Sequence, residues 1–231
     1  MDNEVKRLTW DEPEKRKYEY GVSQGVFYGM DDDGGYTEAE AWNGLTNVTD
    51  SPSGADNNKL WADGIEYANI RAAEQYGCGI EAYTYPNGFA ACDGSASPIP
   101  GMYVRQQTRK KFGMSWRTEI GNANNPELGY KIHVAYGLTV SPSESAHDTV
   151  NDNPDADTFS WDAEGSAVPI TGYKPSAKLE FDSTVLGAAK MAALEDLLYG
   201  RAATTGEGAQ AAIKASLPLP DAIIAALRAV D

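Results

Sequence analysis

Histidine and cysteine occur only twice each in this 231-residue chain, and that scarcity excludes much of the chemistry a protein of this size could carry. A serine- or cysteine-based triad needs a histidine base, and only His133 and His147 are available. Cys78 and Cys92 form neither a CxxC pair nor a Cys/His cluster, so a disulfide framework and a zinc site are both excluded, and free, buried thiols are expected. No apolar run approaches the roughly 20 residues of a membrane span. The stretch Met1-Asp2-Asn3-Glu4 lacks the basic and apolar regions of a signal peptide, so a cytoplasmic site of synthesis and no membrane partner are expected. Bases are scarce as well: 19 Lys and Arg face 34 Asp and Glu, a formal charge of −15 that disfavours gripping nucleic acid. P-loop, G-x-G-x-x-G, G-x-S-x-G and H-E-x-x-H motifs are all missing, and no cofactor is expected.

What the chain does have is alternation. Leu128, Tyr130, Ile132, Val134, Tyr136, Leu138 and Val140 occupy every second position, with small or polar residues between them. A period of two held this long predicts a long strand with one buried face. Phe112, Met114, Trp116, Thr118 and Ile120 repeat the pattern, and 121–127 supply turn residues, so the two segments form a long antiparallel hairpin. Further strands are predicted at 18–30, 36–48, 64–69, 78–85, 102–108, 157–163 and 177–181. Many short strands with turn chemistry between them favour a sandwich or barrel. A short helix is expected at 69–76. A better one runs over 184–199, capped by Asp182 or Ser183 and stopped by Gly200, with an apolar stripe of Leu186, Met191, Leu194, Leu197 and Leu198.

After Gly200 the composition turns to Ala, Thr and Gly. Residues 201–208 suggest a linker, followed by helical stretches near 209–217 and 221–230. The expected organisation is therefore an arm at 1–17, a β domain at 18–200, and a small helical C-terminal extension at 201–231 that is dispensable for the β fold. The class is mainly β: a β-sandwich or barrel with a flanking α-helix.

The charged residues are segregated. Arg105, Arg109, Lys110, Lys111 and Arg117 fall in 102–117, where no acid occurs, while 144–164 carries seven acids and no base. The basic stretch reads as an ordinary solvated face, as a nucleic-acid patch, or as a surface for head-to-tail association, with Arg105, Arg109, Lys110 and Lys111 of one copy facing Asp155 and Asp157 of the next. The acid-rich stretch lacks the EF-hand spacing and is expected to be solvated, with no metal. His133, on the polar side of its strand between Lys131 and Ala135, is expected to be an exposed or interface imidazole, and His147 lies in a polar loop. Glu38 and Glu40 lie two apart, hence on one face of the 36–48 strand together with Tyr36 and Trp42. Thr37, Ala39 and Ala41 on the other face would pack against a second sheet.

Several segments, taken in order, resemble the major tail proteins of long-tailed bacteriophages. They are Trp42-Asn43-Gly44-Leu45-Thr46, Ser51-Pro52-Ser53-Gly54-Ala55 and Ile80-Glu81-Ala82-Tyr83-Thr84-Tyr85-Pro86. They continue with Gln106-Gln107-Thr108-Arg109, Phe112-Gly113, Gly129-Tyr130-Lys131-Ile132-His133 and Tyr173-Lys174-Pro175. The resemblance covers about residues 8–200. It implies a non-enzymatic virion protein that assembles in the host cytoplasm into six-membered rings, stacked as a tail tube through which DNA passes without specific binding. It implies as partners the chain itself and the tail initiator, tape-measure and terminator proteins. An N-terminal arm (1–17) and a polar loop (48–63), with Leu60 and Trp61 as anchor, would reach adjacent subunits or rings; if 48–63 is not a loop, Trp61 is a core residue instead. In such a tube an acidic wall would repel DNA, and the shared strand face makes Glu38 and Glu40 the lumen candidates. A carbohydrate- or protein-binding β-sandwich module on a virion surface, using exposed Trp and Tyr, is the alternative; a hydrolase on a β scaffold is a third reading.

Overall fold

The computed structural model describes residues 7–144, 147, 149, 156–205 and 209–230. The chain enters through β1 (Tyr18–Met30), β2 (Tyr36–Trp42) and β3 (Leu45–Asp50), then runs through β4 (Ser53–Gly54), β5 (Asn57–Ala62), β6 (Ile65–Arg71), β7 (Glu74–Gln75) and β8 (Gly77–Ala82). The long hairpin is β9 (Phe112–Gly121) and β10 (Gly129–Val140), followed by β11 (Phe159–Glu164), β12 (Val168–Ile170), β13 (Tyr173–Ser176) and β14 (Lys178–Asp182). Among the described residues, the helices α1 (Ser183–Leu186), α2 (Ala188–Tyr199) and α3 (Pro220–Arg228) follow.

One hydrogen-bonded path, β2-β1-β9-β10-β11-β8-β3, winds through the molecule, with β14 added alongside β10. Strand β10 makes the turn of that path. Its first half pairs with β14, from Lys131↔Asp182 to Ala135↔Lys178, and its last residues Thr139 and Val140 pair with β11. The path therefore folds into two sheets that enclose a core of Phe27, Trp42, Ile80, Phe112, Met114, Leu138 and Trp161. Phe89, from a 3-10 turn at Asn87–Ala91, plugs this core: its ring centroid lies 4.7 Å from that of Trp42, 5.0 Å from Trp161 and 5.3 Å from Phe112.

The opposite face of the first sheet is buried too, against the helices. Val26, Tyr28, Tyr36, Ile132, Val134 and Tyr136 meet Met191, Leu194, Leu198, Leu217, Ile223 and Leu227 in a second core. This corrects the expectation of one buried face: β10 is covered on both sides. A bulge lets the period of two serve both cores. Between Ala135 and Leu138 the register against β9 slips by one residue, so Tyr136 faces the helices whereas Leu138 faces the sandwich. Gly137 sits at the slip with φ +59, and a Cβ there would lie 2.8 Å from Ser166 Cβ. A second slip, Gly29↔Glu38 to Met30↔Tyr36, turns Tyr36 to the helix side while Trp42 stays in the sandwich.

Buried tyrosines bind the layers, each with its hydroxyl satisfied. Tyr28 Oη donates to Leu198 O (2.9 Å), Tyr136 Oη donates to Pro218 O (2.9 Å), and Tyr36 Oη accepts from Gly137 N (2.9 Å).

Several sequence expectations require correction. The 36–48 strand is two strands parted at Asn43-Gly44, where the chain leaves one sheet for the other. Residues 69–76 are extended in β6 and β7 rather than helical. Residues 102–108 form no strand and contribute one bridge, Ala96↔Val104. The 184–199 helix is broken by Gly187, at φ +83, into α1 and α2. The 209–217 stretch is not helical; Ile213 pairs with Arg201 instead.

The segment after Gly200 is not a separable module, because Leu217, Ile223 and Leu227 are core residues and Leu217 N donates to Tyr36 O at 3.0 Å. Truncation after Gly200 is therefore expected to abolish the cooperative unfolding transition. The single change Ile223→Ala should lower the unfolding free energy by about 2–5 kcal/mol, as read by urea denaturation.

Candidate functional site

The most conspicuous surface feature is built from the segment expected to be a polar loop. It is a β-ribbon instead. Strands β3 and β8 pair inside the sandwich, and their ladder continues outward through Ser51 N→Gly77 O (2.8 Å), β4–β7 and β5–β6. Asp63-Gly64, both at positive φ (51 and 76), makes the tip turn. At about 3.3 Å per residue, the 12 residues between Ser51 and the tip project roughly 40 Å.

Cross-strand partners share a face, and the register Asn58↔Ile70, Leu60↔Ala68 and Ala62↔Ile65 gathers Leu60, Ala62, Ile65, Ala68 and Ile70 on one side. Leu60, Ile65 and Ile70 are exposed by 40%, 65% and 56%. The other side carries Trp61 and a polar set in which Lys59 Nζ meets Glu66 Oε2 at 2.9 Å and Arg71 Nε donates to Asn57 Oδ1 at 3.3 Å. Trp61 is 65% exposed, so it is not a core residue. As chain neighbours in one strand, Leu60 and Trp61 point to opposite sides of the ribbon.

A second arm lies at the start of the described chain, where Leu8 and Trp10 are exposed. Among the described residues, Asn122 Nδ2 donates to Glu14 O at 3.4 Å and ties this arm to the body.

The basic residues are dispersed. Arg105 is ion-paired with Asp93 of its own chain. Together with Arg109 it lines a cavity of about 630 Å³ bounded by Tyr85, Phe159 and Trp161. Lys110 lies by Asp31, Asp32 and Glu38, and Lys111 Nζ donates to Ser166 Oγ at 2.8 Å. Asp157 Oδ2 is 3.1 Å from His147 Nδ1, while Asp155 lies outside the described residues. Glu38 is exposed. Glu40 is half-buried, and its Oε1 accepts from Gly88 N at 3.0 Å. The two glutamates share the side of Trp42, but the bulge removes Tyr36 from it, and Ala39 packs against the helix layer rather than the second sheet.

Sequence reasoning missed a polar cluster around His133, which is 5% exposed rather than at the surface. Its ring stacks on Trp116 at 5.2 Å and 9°. Nε2 lies 2.9 Å from Thr118 Oγ1 and 3.2 Å from Glu19 Oε1. Nδ1 is 3.5 Å from Glu180 Oε1 but has no hydrogen-bond partner. Glu19 also accepts from Lys131 (2.6 Å), and Lys178 pairs with Glu180 (2.7 Å) and with Asp50, which accepts from Tyr76 Oη at 2.7 Å.

Burial, and then the nearby Lys178 charge, push the His133 pKa below the usual imidazole value. Burial opposes ionisation of Glu19, but hydrogen bonds from Lys131 and Thr118 outweigh it and hold that carboxyl below its ordinary value. A Thr–His–Glu order invites comparison with a hydrolase. The Thr118 hydroxyl, however, is spent on Glu19 at 2.6 Å and the ring is covered by Trp116, so the cluster serves as a lock between β1, β9, β10, β14 and β3. Among the described residues no group of three or more His, Cys, Asp or Glu could hold a metal ion, and no helix is long and apolar enough to cross a membrane.

No protein-family model matches the chain, and no curated protein matches it. Among solved structures it is similar to a chain of the PVC sheath–tube complex, an extracellular contractile injection system in its extended state. That similarity has a TM-score of 0.32 at 10% identity and covers 69% of this chain and 88% of that one. It is also similar to a chain of the anti-feeding prophage baseplate, with a TM-score of 0.31 at 6% identity over 68% and 92% of the two chains. At such TM-scores the likeness carries no argument about function.

The His133 cluster predicts a pH dependence. An imidazole whose folded pKa is depressed binds fewer protons in the native state, so stability is fullest above the unfolded value of about 6.5 and falls as pH drops through that value toward the folded one. Urea midpoints measured between pH 8 and pH 5 should fall in the wild type, and His133→Gln should flatten that part of the profile.

Proposed function

We propose that this chain is a self-assembling structural protein of a bacteriophage virion, whose copies form rings, six to a ring, stacked into the tail tube that conducts DNA. The observation that carries the reading is the ribbon of β4–β7. A two-stranded ribbon is marginal in water on its own, and this one keeps three large aliphatic residues on a face that is left exposed among the described residues. A neighbouring copy supplies the missing cover, and a reach of roughly 40 Å suits a contact from ring to ring. The exposed Leu8 and Trp10 of the N-terminal arm fit the same role. The resemblance to major tail proteins supplies the ring and tube geometry, the initiator, tape-measure and terminator partners, and DNA as passing cargo.

In this reading the acidity of the chain serves transit. A basic wall would hold a duplex that carries one charge per roughly 1.7 Å, whereas an acidic wall lets it slide. Glu38, exposed near Asp31 and Asp32, is the better lumen candidate. Glu40, whose carboxylate is engaged by Gly88 N, is the weaker one. The competing reading, a ligand-binding sandwich, needs exposed aromatics around a cleft. Here Trp161 in the cavity is buried with its indole N–H donated to Asp93, while the exposed tryptophans Trp10 and Trp61 sit on the two arms.

Concentrated protein, or protein seeded with a tail initiator, should form rings or tubes by negative-stain microscopy. Replacing residues 55–73 by an Asn-Gly turn should leave the unfolding free energy, read by urea denaturation, within about 0.5 kcal/mol of wild type and abolish assembly. Normal tubes from that variant would sink the role of the ribbon. Glu38→Lys should still assemble but slow DNA delivery, most at low salt where screening is weak.

A further inference from the structure

We propose that the cavity lined by Arg109, Tyr85 and Phe159 is a binding site for a small organic carboxylate, with Arg109 as its charge partner and the two aromatic rings as the wall for its apolar body. The site is separate from the ribbon and the N-terminal arm, and the inference does not depend on self-assembly.

The starting observation is an uncompensated arginine. Arg109 is part-buried, its Nη2 makes one long contact to Asp93 O at 3.5 Å, and its Nε is buried with no hydrogen-bond partner. Among the described residues no acid forms an ion pair with it. A guanidinium withdrawn from water is costly unless an opposite charge meets it. Buried polar groups without a partner are rare in native proteins, and one beside a cavity marks that cavity as polar-ligand space.

The acids nearby are committed elsewhere. Asp93 Oδ2 takes the ion pair from Arg105 and Oδ1 accepts from Trp161 Nε1 at 3.2 Å, Glu144 is exposed, and Asp157 faces His147.

The backbone is shaped around Arg109. Gly94, at φ +73, lies against its side chain, and a Cβ there would sit 3.3 Å from Arg109 Cζ and 3.1 Å from Gln107 O. Gln107 N donates to Gly94 O at 2.9 Å and Lys110 N to Ala91 O at 3.2 Å, which fastens the chain on both sides of the arginine. Gln106, also on the cavity, is held at φ +67. A non-glycine residue adopts that conformation at a cost, and such strain concentrates at binding sites.

The aromatic wall decides the body of the ligand. Tyr85 and Phe159 are part-buried and meet edge to face, with centroids 5.4 Å apart at 85°. Trp161 is buried and keeps its indole N–H for Asp93. A cavity of about 630 Å³ that combines an apolar wall with one unmet guanidinium matches a carboxylate on a flat apolar body. A hydrated phosphate would satisfy the charge and leave the wall unused.

The test is a ligand-observed 19F NMR titration of the full chain. We expect 4-fluorobenzoate to bind saturably with a Kd of about 1 mM or tighter, and 4-fluorobenzamide, similar in shape but uncharged, to bind at least about tenfold more weakly. Arg109→Gln should weaken benzoate binding by about tenfold or more. Ser160→Trp, at an exposed position of β11 that lines the cavity, should block the space without touching the arginine and have the same effect. Absence of saturable benzoate binding overturns the proposal. Equal affinity for benzoate and benzamide in the wild type overturns the role of charge without recourse to a variant, and stronger displacement by inorganic phosphate than by unlabelled benzoate overturns the apolar body. Unchanged benzoate binding in either variant, with wild-type urea denaturation, puts the probe elsewhere and overturns the site.

Discussion

Burial of the β9–β10 hairpin on both faces is the constraint from which the rest of the architecture follows. A strand covered on one side needs only a second sheet. A strand covered on both needs a sheet and a helix layer, and its side chains must be divided between them. The bulge at Gly137 makes the division, sending Tyr136 to the helices and Leu138 to the sandwich without altering the spacing of large residues in the sequence. The C-terminal segment is then obligatory, because without it Tyr36 and Tyr136, which meet Leu217 and Pro218, would lose their cover.

Much of this was legible in the sequence. Strand β1 and the β9–β10 hairpin follow from alternation alone, and the Asp182 cap and Gly200 stop bound the helical segment as expected. What could not be read is the second buried face, since its residues look like surface ones. Ala135 is small and His133 polar, yet both are buried, one against the sandwich core and one under Trp116. Bulges are equally silent, because they preserve the period while reversing the side, and this is why Tyr36 was placed with Glu38. The alternating Met102 and Val104 suggested a strand, but Pro98, Pro100 and Gly101 prevent a ladder there. For the ribbon a signal was present and outweighed by polar composition: Asp-Gly between two alternating segments is strong hairpin chemistry.

The candidate assembly surface was less legible than the fold. Leu60 and Trp61 are exposed as anchor residues must be, yet on opposite sides of one ribbon, so a single docking surface engages one of them. The basic residues were grouped by proximity in sequence, and the fold scatters them: Arg105 and Arg109 to a cavity, Lys110 to the acidic turn, Lys111 to Ser166. Sequence reports the charge of a segment well and the direction of each side chain poorly.

The continuity of the ribbon with β3 and β8 also has a mechanical meaning. A pull applied at Asp63-Gly64 travels down both strands into the second sheet, where β8 is held to β11 along Phe159↔Ala82 through Glu164↔Gly77. That ladder runs parallel to the pull, so its hydrogen bonds are loaded in shear, all together, rather than opened one by one like a zipper. The ribbon is thus rooted in the geometry that resists tension best.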